Sequence, residues 1–391
     1  GFKFYAFSEL VNFNVSVSNA EADSIISNLL NTKKKLFVRR KLFNDSQYKK
    51  NIYLINPDIE FNKNALDLFF DAVINQRDTC LVRIAHYGDS QLEGDRISYV
   101  LRQKFQNKFG GSGPGYIPLV DIVEPTVYSR NTKGNWCRYT VFNNKYYSDL
   151  YGSAGVVFKF NNCNYKVKIK DSVNIINDTS YKFWLSAKDA GVVIKLKNNT
   201  YYNKVSLMYG NSIIPCAVNI ADKENNLYVS DTLPASKLFN IFTYNISNSP
   251  DIIKFNFNSE KSPDFYGILL DSPFGVQVDN YAIRGHSGGE LLNINQEYLA
   301  SQFKLLNTKL IIFQYGGNVV PYVKDSIGLK HLEMLYLSLF NKFKKAAPNA
   351  SILVVSTGDM ARKHGDDFVS YSQVSKVVEV QKKAALKANC A

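Results

Sequence analysis

The stretch Cys80–Gly111, CLVRIAHYGDSQLEGDRISYVLRQKFQNKFGG, decides the fold because it predicts a strand, a tight turn and a helix in succession. The apolar run at 81–85 is typical of a short buried strand, and apolar residues recur at helical spacing over 97–109 until two glycines end the helix. Ser90 lies in the Gly-Asp-Ser turn between them. We therefore expect Ser90 at the carboxyl end of a strand, where open α/β sheets bind ligands, beside a helix N-terminus whose N–H groups favour an anion.

Length and charge limit the classes of protein to consider. A chain of 391 residues exceeds an ordinary single domain, so we expect two domains or one domain with a large insertion. Lys and Arg outnumber Asp and Glu by 47 to 34, and the resulting net charge of +13 attracts polyanions. The basic residues are scattered, however, and no RNA-binding signature occurs, so nucleic acid is not an expected partner.

Cysteine spacing and apolar runs restrict the chain further. Five widely spaced cysteines exclude a Cys-x-x-Cys metal site and a complete disulfide framework, although one or two disulfides remain possible. They are Cys80, Cys137, Cys163, Cys216 and Cys390. The N-terminus lacks the pattern of a signal peptide, and no apolar run approaches the ~20 residues of a membrane-spanning helix. We therefore expect no integral membrane segment.

The hydrophobic pattern divides the chain into four segments. Residues 1–60 form an N-terminal extension, and residues 61–120 begin an α/β domain with a helix at 64–74. From 121 to 272 short alternating runs lie between Asn, Asp, Gly and Ser residues, which predicts an antiparallel β-sandwich. In 273–391 strands alternate with helices, as in a doubly wound parallel sheet with helices on both faces. We therefore expect one flavodoxin-like, three-layer α/β domain interrupted by an inserted sandwich.

The individual elements follow from the same periodicities. In the extension they are strand-like runs at 2–7 and 11–17 and a helix at 20–30. In the insert they are strands at 156–160, 165–169, 181–185, 192–196, 205–209, 227–230 and 252–257. After the insert they are strands at 276–280, 310–315 and 352–356 and helices at 296–306, 329–346 and 374–387. Aromatic rings in the insert either fill its core or stack on sugars, and the sequence leaves both open for Tyr146, Tyr147, Tyr151, Trp184, Tyr201 and Tyr202.

Two further motifs follow Ser90 along the chain, each after an apolar strand. Gly285 lies in Ala-Ile-Arg-Gly-His-Ser-Gly at 282–288, and Asn318 ends the Gly-Gly-Asn that follows the strand at 310–315. Together with the Gly-Asp-Ser turn, they resemble blocks I, II and III of the SGNH (GDSL-type) esterase and lipase superfamily. The three motifs occur in the family's order, each at a strand end.

The resemblance implies an activity and a set of site residues. It makes Ser90 the nucleophile that forms an acyl-serine intermediate, with Asp89 as its supporting neighbour. The oxyanion of the tetrahedral intermediate would accept hydrogen bonds from the N–H groups of Ser90 and Gly285 and from the side-chain amide of Asn318. Removing one such donor typically costs about 3 to 4 kcal/mol of transition-state stabilisation. No metal or organic cofactor is implied.

A β-sandwich between blocks I and II resembles the peptidoglycan O-acetylesterase branch of the superfamily, whose insert is similar to a carbohydrate-binding module. This implies a serine esterase that removes O-acetyl groups from peptidoglycan or another cell-envelope polysaccharide, in the periplasm or outside the cell. The expected partner is the acetylated glycan, and a basic chain suits a polymer with carboxylates and phosphates. The alternatives are a polysaccharide O-acetyltransferase that uses the same serine and a non-catalytic carbohydrate-binding protein.

The chain departs from the family at block V, an Asp-x-x-His that supplies the general base and its orienting carboxylate. No Asp-x-x-His occurs in this sequence. The family places it after a strand that follows the helix at 374–387, so we expect it beyond Ala391. The rival hypothesis makes His364 the base, with Asp359 or Asp366 beside it. For His86 and His286 we expect positioning or core roles.

Overall fold

The computed structural model describes residues 64–161, 188–197 and 200–391. The expectations for residues 1–60, the strands at 165–169 and 181–185, Cys163 and Trp184 lie outside these ranges. In chain order the helices and strands are α1 (Asp67–Gln76), β1 (Leu81–Gly88), α2 (Arg96–Phe109), β2 (Gly115–Ile117), β3 (Tyr128–Lys133), β4 (Trp136–Thr140), β5 (Val156–Phe160), β6 (Asp189–Leu196), β7 (Lys204–Gly210), β8 (Cys216–Ala221), β9 (Leu227–Leu233), β10 (Asn240–Asn245), β11 (Ile252–Asn258), β12 (Asp264–Asp271), β13 (Gly275–Ala282), α3 (Gln296–Leu305), β14 (Thr308–Gln314), α4 (Ser326–Ala346), β15 (Ser351–Val355), β16 (Ala361–His364), β17 (Asp367–Ser370) and α5 (Val374–Lys387).

A parallel sheet of four strands, in the order β13-β1-β14-β15, carries the three sequence motifs. Every residue of β1 is buried, since β1 pairs with β13 on one side and with β14 on the other. Gly88 at the end of β1 is level with Ala282 of β13 and Gln314 of β14. The expected parallel sheet is thereby confirmed, and the loops that follow these three strands leave from one edge.

Helices cover both faces of this sheet. On one face, Phe69 of α1 packs with Val82 and Ile84 in a cluster to which α2 contributes. On the other face, the Tyr87 ring of β1 lies 5.3 Å from the Phe343 ring of α4, measured between centroids. Alternate residues of β1 pack on the two faces, because successive side chains of a strand point to opposite sides of the sheet. The helices and strands expected from the apolar periodicity within 64–120 and 273–391 are confirmed, with ends that differ by a few residues.

The apolar stripe expected for α2 is only partly correct. Ile97 and Val100 are exposed, whereas Ser98 and Arg102 are buried. Arg102 donates two hydrogen bonds to Asp95, at 2.6 and 3.1 Å. This pairing allows a charged side chain to occupy an inward position of the helix, which the spacing of apolar residues does not predict. The apolar residues of α2 that do pack against the sheet are Leu101, Phe105 and Phe109.

Two antiparallel sheets lie between α2 and β13 in the chain. One has the order β10-β7-β12-β5-β4, with β2 also paired to β12, and the other has the order β3-β6-β11-β8-β9. The sheets pack face to face, since the Phe257 ring of β11 lies 4.8 Å from the Phe265 ring of β12. The antiparallel strands expected at 156–160, 192–196, 205–209, 227–230 and 252–257 are confirmed. The first of the two sheets also includes β2, which precedes residue 121.

The aromatic residues of the insert divide between its core and its surface. Tyr146, Tyr151 and Tyr202 are buried, as the core-filling alternative expects. Tyr147 and Tyr201 are 79% and 53% exposed, so only these two of the described candidates can offer a ring to a ligand in solution. Among the cysteines, Cys137 is disulfide-bonded, whereas Cys80 and Cys216 carry free thiols.

A buried ion cluster joins the insert to the parallel sheet. Arg83 of β1 donates to Asp279 of β13 at 2.9 Å and also to Asp271, at the end of β12. Asp279 in turn accepts from the Tyr116 N–H of β2 at 3.0 Å. All of these residues are buried. Charge pairing, in addition to apolar contacts, therefore fixes where β2 and β12 of the insert lie against β1 and β13 of the parallel sheet.

The chain after β14 contains one feature that the periodicity does not predict. Strands β16 and β17 form an exposed hairpin between β15 and α5. After α5 the Ala391 N–H donates to the carbonyl of Ile352, and the Ala391 carbonyl accepts from the N–H of Val354, each at 2.9 Å. Ala391 therefore pairs with the outer edge of β15. In the part of the chain that the structure describes, no helix combines the length and apolar character needed to cross a membrane.

Candidate active site

Ser90 lies at the end of β1 in a turn that its neighbours hold closed. Gly88 leaves no space for a side chain, since an added Cβ would lie 2.5 Å from Leu92 Cδ1. The Asp89 carboxylate accepts the N–H of Gln91 at 2.9 Å. Ser90 itself is half-buried at the sheet edge, which is the strand-end position expected from the sequence.

The expected helix N-terminus beside Ser90 is displaced. A short 3-10 turn at Glu93–Asp95 intervenes, with Gly94 and Asp95 both at positive φ, and α2 begins only at Arg96. The guanidinium of Arg96 donates to the carbonyl of Ser90 at 2.8 Å. Support for an anion at Ser90 therefore has to come from individual N–H donors near the turn, because the field of a helix end falls off within its first turn.

Gly285 lies in the loop after β13, beside the Ser90 turn. Its φ of 75° is in the left-handed region that favours glycine, and a Cβ there would lie 3.2 Å from the Phe142 ring. The neighbouring Arg284 forms an ion pair with Glu93 at 2.7 Å, and the Ile283 N–H donates to the carbonyl of Gly88 at 3.0 Å. The loop that carries Gly285 is thus tied at two points to the segment that carries Ser90.

Asn318 connects all three motifs through one side-chain amide. Its Nδ2 lies 3.0 Å from Asp89 Oδ2, next to Ser90, and 3.0 Å from the carbonyl of His286, next to Gly285. Both hydrogens of the amide are thereby engaged. An oxyanion at this place has to replace one of the two acceptors or share a hydrogen with it.

Asp89 is buried and lies at the centre of these contacts. Burial raises the pKa of its carboxyl group, against the opposing effect of the Gln91 N–H. Protonation would convert one oxygen from an acceptor into a donor and weaken its hold on the Asn318 amide. The orientation of Asn318 therefore depends on the ionised form of Asp89.

His86 is held within the core. Its Nδ1 lies 3.0 Å from Ser98 Oγ and its Nε2 lies 3.1 Å from Gln314 Oε1. Burial lowers the pKa of His86 to about 4, so the ring is neutral at neutral pH. With both nitrogens engaged away from Ser90, His86 orders the strand ends.

His286 is fully buried beneath the loop of Gly285. Its Nδ1 lies 3.2 Å from Tyr315 Oη, and its Nε2 lies 3.2 Å from a carboxylate oxygen of Glu290. The contact with His286 lowers the pKa of Glu290. The ring thus faces Tyr315 and Glu290, while the main-chain carbonyl of His286 positions Asn318.

His364 lies on the exposed hairpin. In the described residues no hydrogen bond or ion pair joins it to Asp359, Asp366 or Ser90, and its partner across the hairpin is Asp367. The hairpin nevertheless begins near the site, because Met360 Sδ lies 3.6 Å from the place that a Cβ on Gly317 would occupy. His331, the remaining histidine, is exposed on α4.

Ser90, Gly285 and Asn318 are therefore half-buried in loops at one sheet edge, and contacts between their neighbours tie these loops together. The sequence predicted these three residues but not the contacts between their loops. Those contacts use the main-chain carbonyl of His286 and an ion pair of Arg284, and neither has a sequence motif. Within the described ranges, no cluster of three or more His, Cys, Asp or Glu side chains is suited to hold a metal ion.

Comparison with solved structures relates this fold to that of a peptidoglycan O-acetylesterase. The two share a TM-score of 0.58 at 16% sequence identity, over 84% of this chain and 81% of the other. A family two carbohydrate esterase from Clostridium thermocellum in complex with cellohexaose covers 52% of this chain at 10% identity and a TM-score of 0.24, and a family 29 carbohydrate-binding module covers 40% at 10% identity and a TM-score of 0.24. No family model and no curated protein matches the chain. At this identity the first likeness concerns the fold.

Proposed function

We propose that this protein is an SGNH-type serine esterase that removes O-acetyl groups from peptidoglycan or another cell-envelope polysaccharide. The observation that carries the proposal is the Asn318 amide, which contacts the neighbours of both Ser90 and Gly285. A fold shared with a peptidoglycan O-acetylesterase supports the substrate class. An enzyme of this class acts in the periplasm or outside the cell.

The reaction would proceed in two steps through an acetyl-serine. Ser90 Oγ attacks the acetyl carbonyl carbon, and the negative charge that develops on the carbonyl oxygen is stabilised by the Ser90 N–H, the Gly285 N–H and the Asn318 amide. The C–O bond to the sugar then breaks, and the sugar oxygen leaves with a proton. Water hydrolyses the acetyl-serine to acetate and free Ser90.

The general base requires a histidine that faces Ser90. His86 and His286 turn both ring nitrogens elsewhere, and His364 makes no contact with the serine among the described residues. A strand that continues from Ala391 along β15 would run parallel to β1, because its first residue already pairs in that manner. Its carboxyl end would lie at the Ser90 edge. We propose that the Asp-x-x-His lies there.

Hydrolysis of a chromogenic acetate ester by the purified chain tests the activity. We expect turnover above the spontaneous rate that Ser90→Ala lowers to the residual rate sustained by the oxyanion donors and substrate binding alone. Ser230→Ala is the matched control, since Ser230 is exposed on β9. Equal hydrolysis by wild type and Ser90→Ala would contradict the proposal, and release of acetate from O-acetylated peptidoglycan would extend it to the polymer.

A further inference from the structure

The loop after β4 of the insert carries Phe142 and is held closed by its own hydrogen bonds. The hydroxyl of Thr140 accepts the N–H of Phe142 at 3.3 Å and the N–H of Asn143 at 2.8 Å. The Val141 N–H donates to the carbonyl of Gly155 at 3.0 Å. The backbone is therefore fixed at Phe142 and on both sides of it, so the loop presents this ring from one place.

The Phe142 ring contacts the loop of Gly285, which lies outside the insert and beside the Ser90 turn. A Cβ on Gly285 would lie 3.2 Å from Phe142 Cε1 and 3.7 Å from Cζ, so the edge of the ring lies against this glycine. The ring also contacts His286, at 5.7 Å between ring centroids and an interplanar angle of 69°. One side chain of the insert thus contacts two successive residues of the loop that carries the candidate oxyanion donor.

Gly285 lies in a β-turn whose form decides where its N–H points. The His286 N–H donates to the carbonyl of Ile283 at 3.2 Å and closes the turn over residues 283–286. Of the two central residues, Arg284 and Gly285, only Gly285 has a positive φ, which is the signature of a type II turn. A type I turn differs by a flip of the peptide group between the central residues. That peptide group carries the Gly285 N–H, so the other turn type would point the donor the opposite way.

Glycine does not fix this turn by itself, because it populates positive and negative φ about equally. The hydrogen bond of Ile283 to Gly88 and the ion pair of Arg284 act on the residues before this glycine. Among the described residues, and apart from its neighbours in the chain, the only heavy atoms within 4 Å of the Cβ position at Gly285 belong to Phe142. Phe142 is therefore the side chain placed to hold the turn at Gly285 itself.

We propose that Phe142 is a positioning residue for the oxyanion, which holds the turn over 283–286 in its type II form and so fixes the direction of the Gly285 N–H. The proposal rests on the proposed function, in which that N–H donates to the oxyanion. Through Phe142 the insert takes part in the chemical step, including the step on an ester that carries no sugar.

Steady-state kinetics on the chromogenic acetate ester test this role. We expect Phe142→Ala to lower kcat by about tenfold to a hundredfold with KM within about twofold, because a misdirected oxyanion donor is lost mainly from the transition state. Phe142→Leu keeps apolar bulk against Gly285 and should lower kcat by only about threefold. The leucine variant carries the test should the alanine variant unfold.

Tyr228→Ala is the matched control. Tyr228 is also a partly buried aromatic residue of the insert that packs against the core, but it lies on the edge strand β9 of the other sheet. We expect this variant to lose stability with kcat unchanged. Three results would overturn the proposal: wild-type kcat in Phe142→Ala, an equal fall of kcat in Tyr228→Ala, or a rise in KM at unchanged kcat in Phe142→Ala.

A double-mutant cycle with Gly285→Ala tests whether Phe142 acts through Gly285. Alanine at this position is strained by the positive φ and crowded by the ring, so the donor is already disturbed in the single variant. Phe142→Ala should then lower kcat by less than about threefold in the Gly285→Ala background. A loss as large as in the wild-type background would show that the ring acts elsewhere and would contradict the positioning role.

The nuclear Overhauser effect between Arg284 Hα and the Gly285 N–H reports the turn without any ester, since a type II turn brings these hydrogens together and a type I turn separates them. We expect a strong effect in the wild type and in Tyr228→Ala that weakens in Phe142→Ala. If Ser90→Ala hydrolyses the ester like the wild type, the proposed function is wrong, and the Overhauser effect still shows whether Phe142 holds the turn. An unchanged effect in Phe142→Ala, in a protein whose activity depends on Ser90, would refute the positioning role alone.

Discussion

At the residue scale, the proposed stabilisation of the oxyanion depends on the Asn318 amide. It is held between Asp89 and the carbonyl of His286 by two contacts of 3.0 Å. Such anchoring fixes the orientation of the amide before the substrate arrives, and the oxyanion then replaces one of the two acceptors or shares a hydrogen with it. The buried carboxylate of Asp89, with its raised pKa, is the group whose charge state this arrangement depends on.

We expect Asn318→Ala to lower kcat for an acetate ester by roughly 10² to 10³, with little change in KM, because a donor to the oxyanion acts mainly in the transition state. Steady-state kinetics measure both parameters. Asn240→Ala, whose side chain bonds only a nearby exposed carbonyl, is the control. A rise in KM at unchanged kcat would instead indicate that Asn318 binds the substrate.

His86 makes stability depend on pH. Its pKa is lowered by burial from 6.5 to about 4, so below pH 6.5 the unfolded chain binds a proton that the folded protein does not accept. Stability is therefore fully present above about pH 6.5 and falls as the pH drops towards 4, by roughly 3 kcal/mol.

Urea unfolding at pH 7 and at pH 4.5 measures this loss. In His86→Gln the free energy of unfolding should decrease less between the two pH values than in the wild type, by most of the roughly 3 kcal/mol. This holds even if the variant is less stable at both pH values. His331→Gln on the exposed face of α4 serves as the control. Identical pH dependence in wild type and His86→Gln would contradict the assignment.

At the element scale, the hairpin of β16 and β17 separates two hypotheses about the base. Its residues are exposed, and it stands between β15 and α5 next to the loop of Asn318. The position suits contact with a bound polymer, whereas the sequence offered His364 as a general base. Among the described contacts nothing orients that ring towards Ser90.

We therefore expect His364→Ala to retain kcat/KM within about threefold of the wild type, since a general base typically contributes 10² to 10⁴. The measurement uses the same acetate ester as the Ser90→Ala comparison. A loss of a hundredfold or more, with an unchanged melting temperature, would make His364 the base and remove the need for an Asp-x-x-His elsewhere.

At the scale of the whole molecule, the proposed mechanism depends on the outer edge of β15. Ala391 already pairs with Ile352 and Val354 at this edge. Serine hydrolases that lose members of the triad retain about 10³ to 10⁴ of rate enhancement over water, through the oxyanion donors and substrate binding. Under the proposed mechanism, the described residues supply these donors, and Ser90 acts there as a nucleophile without a histidine in contact.

We expect the 391-residue chain to be a weak esterase, and a form extended by a strand with Asp-x-x-His to gain several orders of magnitude in kcat. Both forms are compared on one acetate ester, with Ser90→Ala in the extended form as the control. Full activity in the 391-residue chain would show that the base lies within it and would overturn this part of the mechanism.

The sequence alone determined most helices and strands of this protein, because the spacing of apolar residues along the chain differs between a helix and a strand. A parallel sheet with three motifs at its carboxyl edge is predicted by the apolar run before Gly88, the glycines after α2 and the strand before Asn318. The alternating runs predict the antiparallel insert. These features depend on neighbours in the chain, which the sequence displays directly.

Only the tertiary structure decided which side chains meet. Three contacts illustrate this, and they join residues up to 229 positions apart in the chain. They are the pairing of Arg83 with Asp271 and Asp279, the inward pairing of Arg102 with Asp95, and the anchoring of Asn318 by Asp89. Polar contacts of this kind leave no periodic signal, because each depends on one donor and one acceptor brought together by the packing of separate elements.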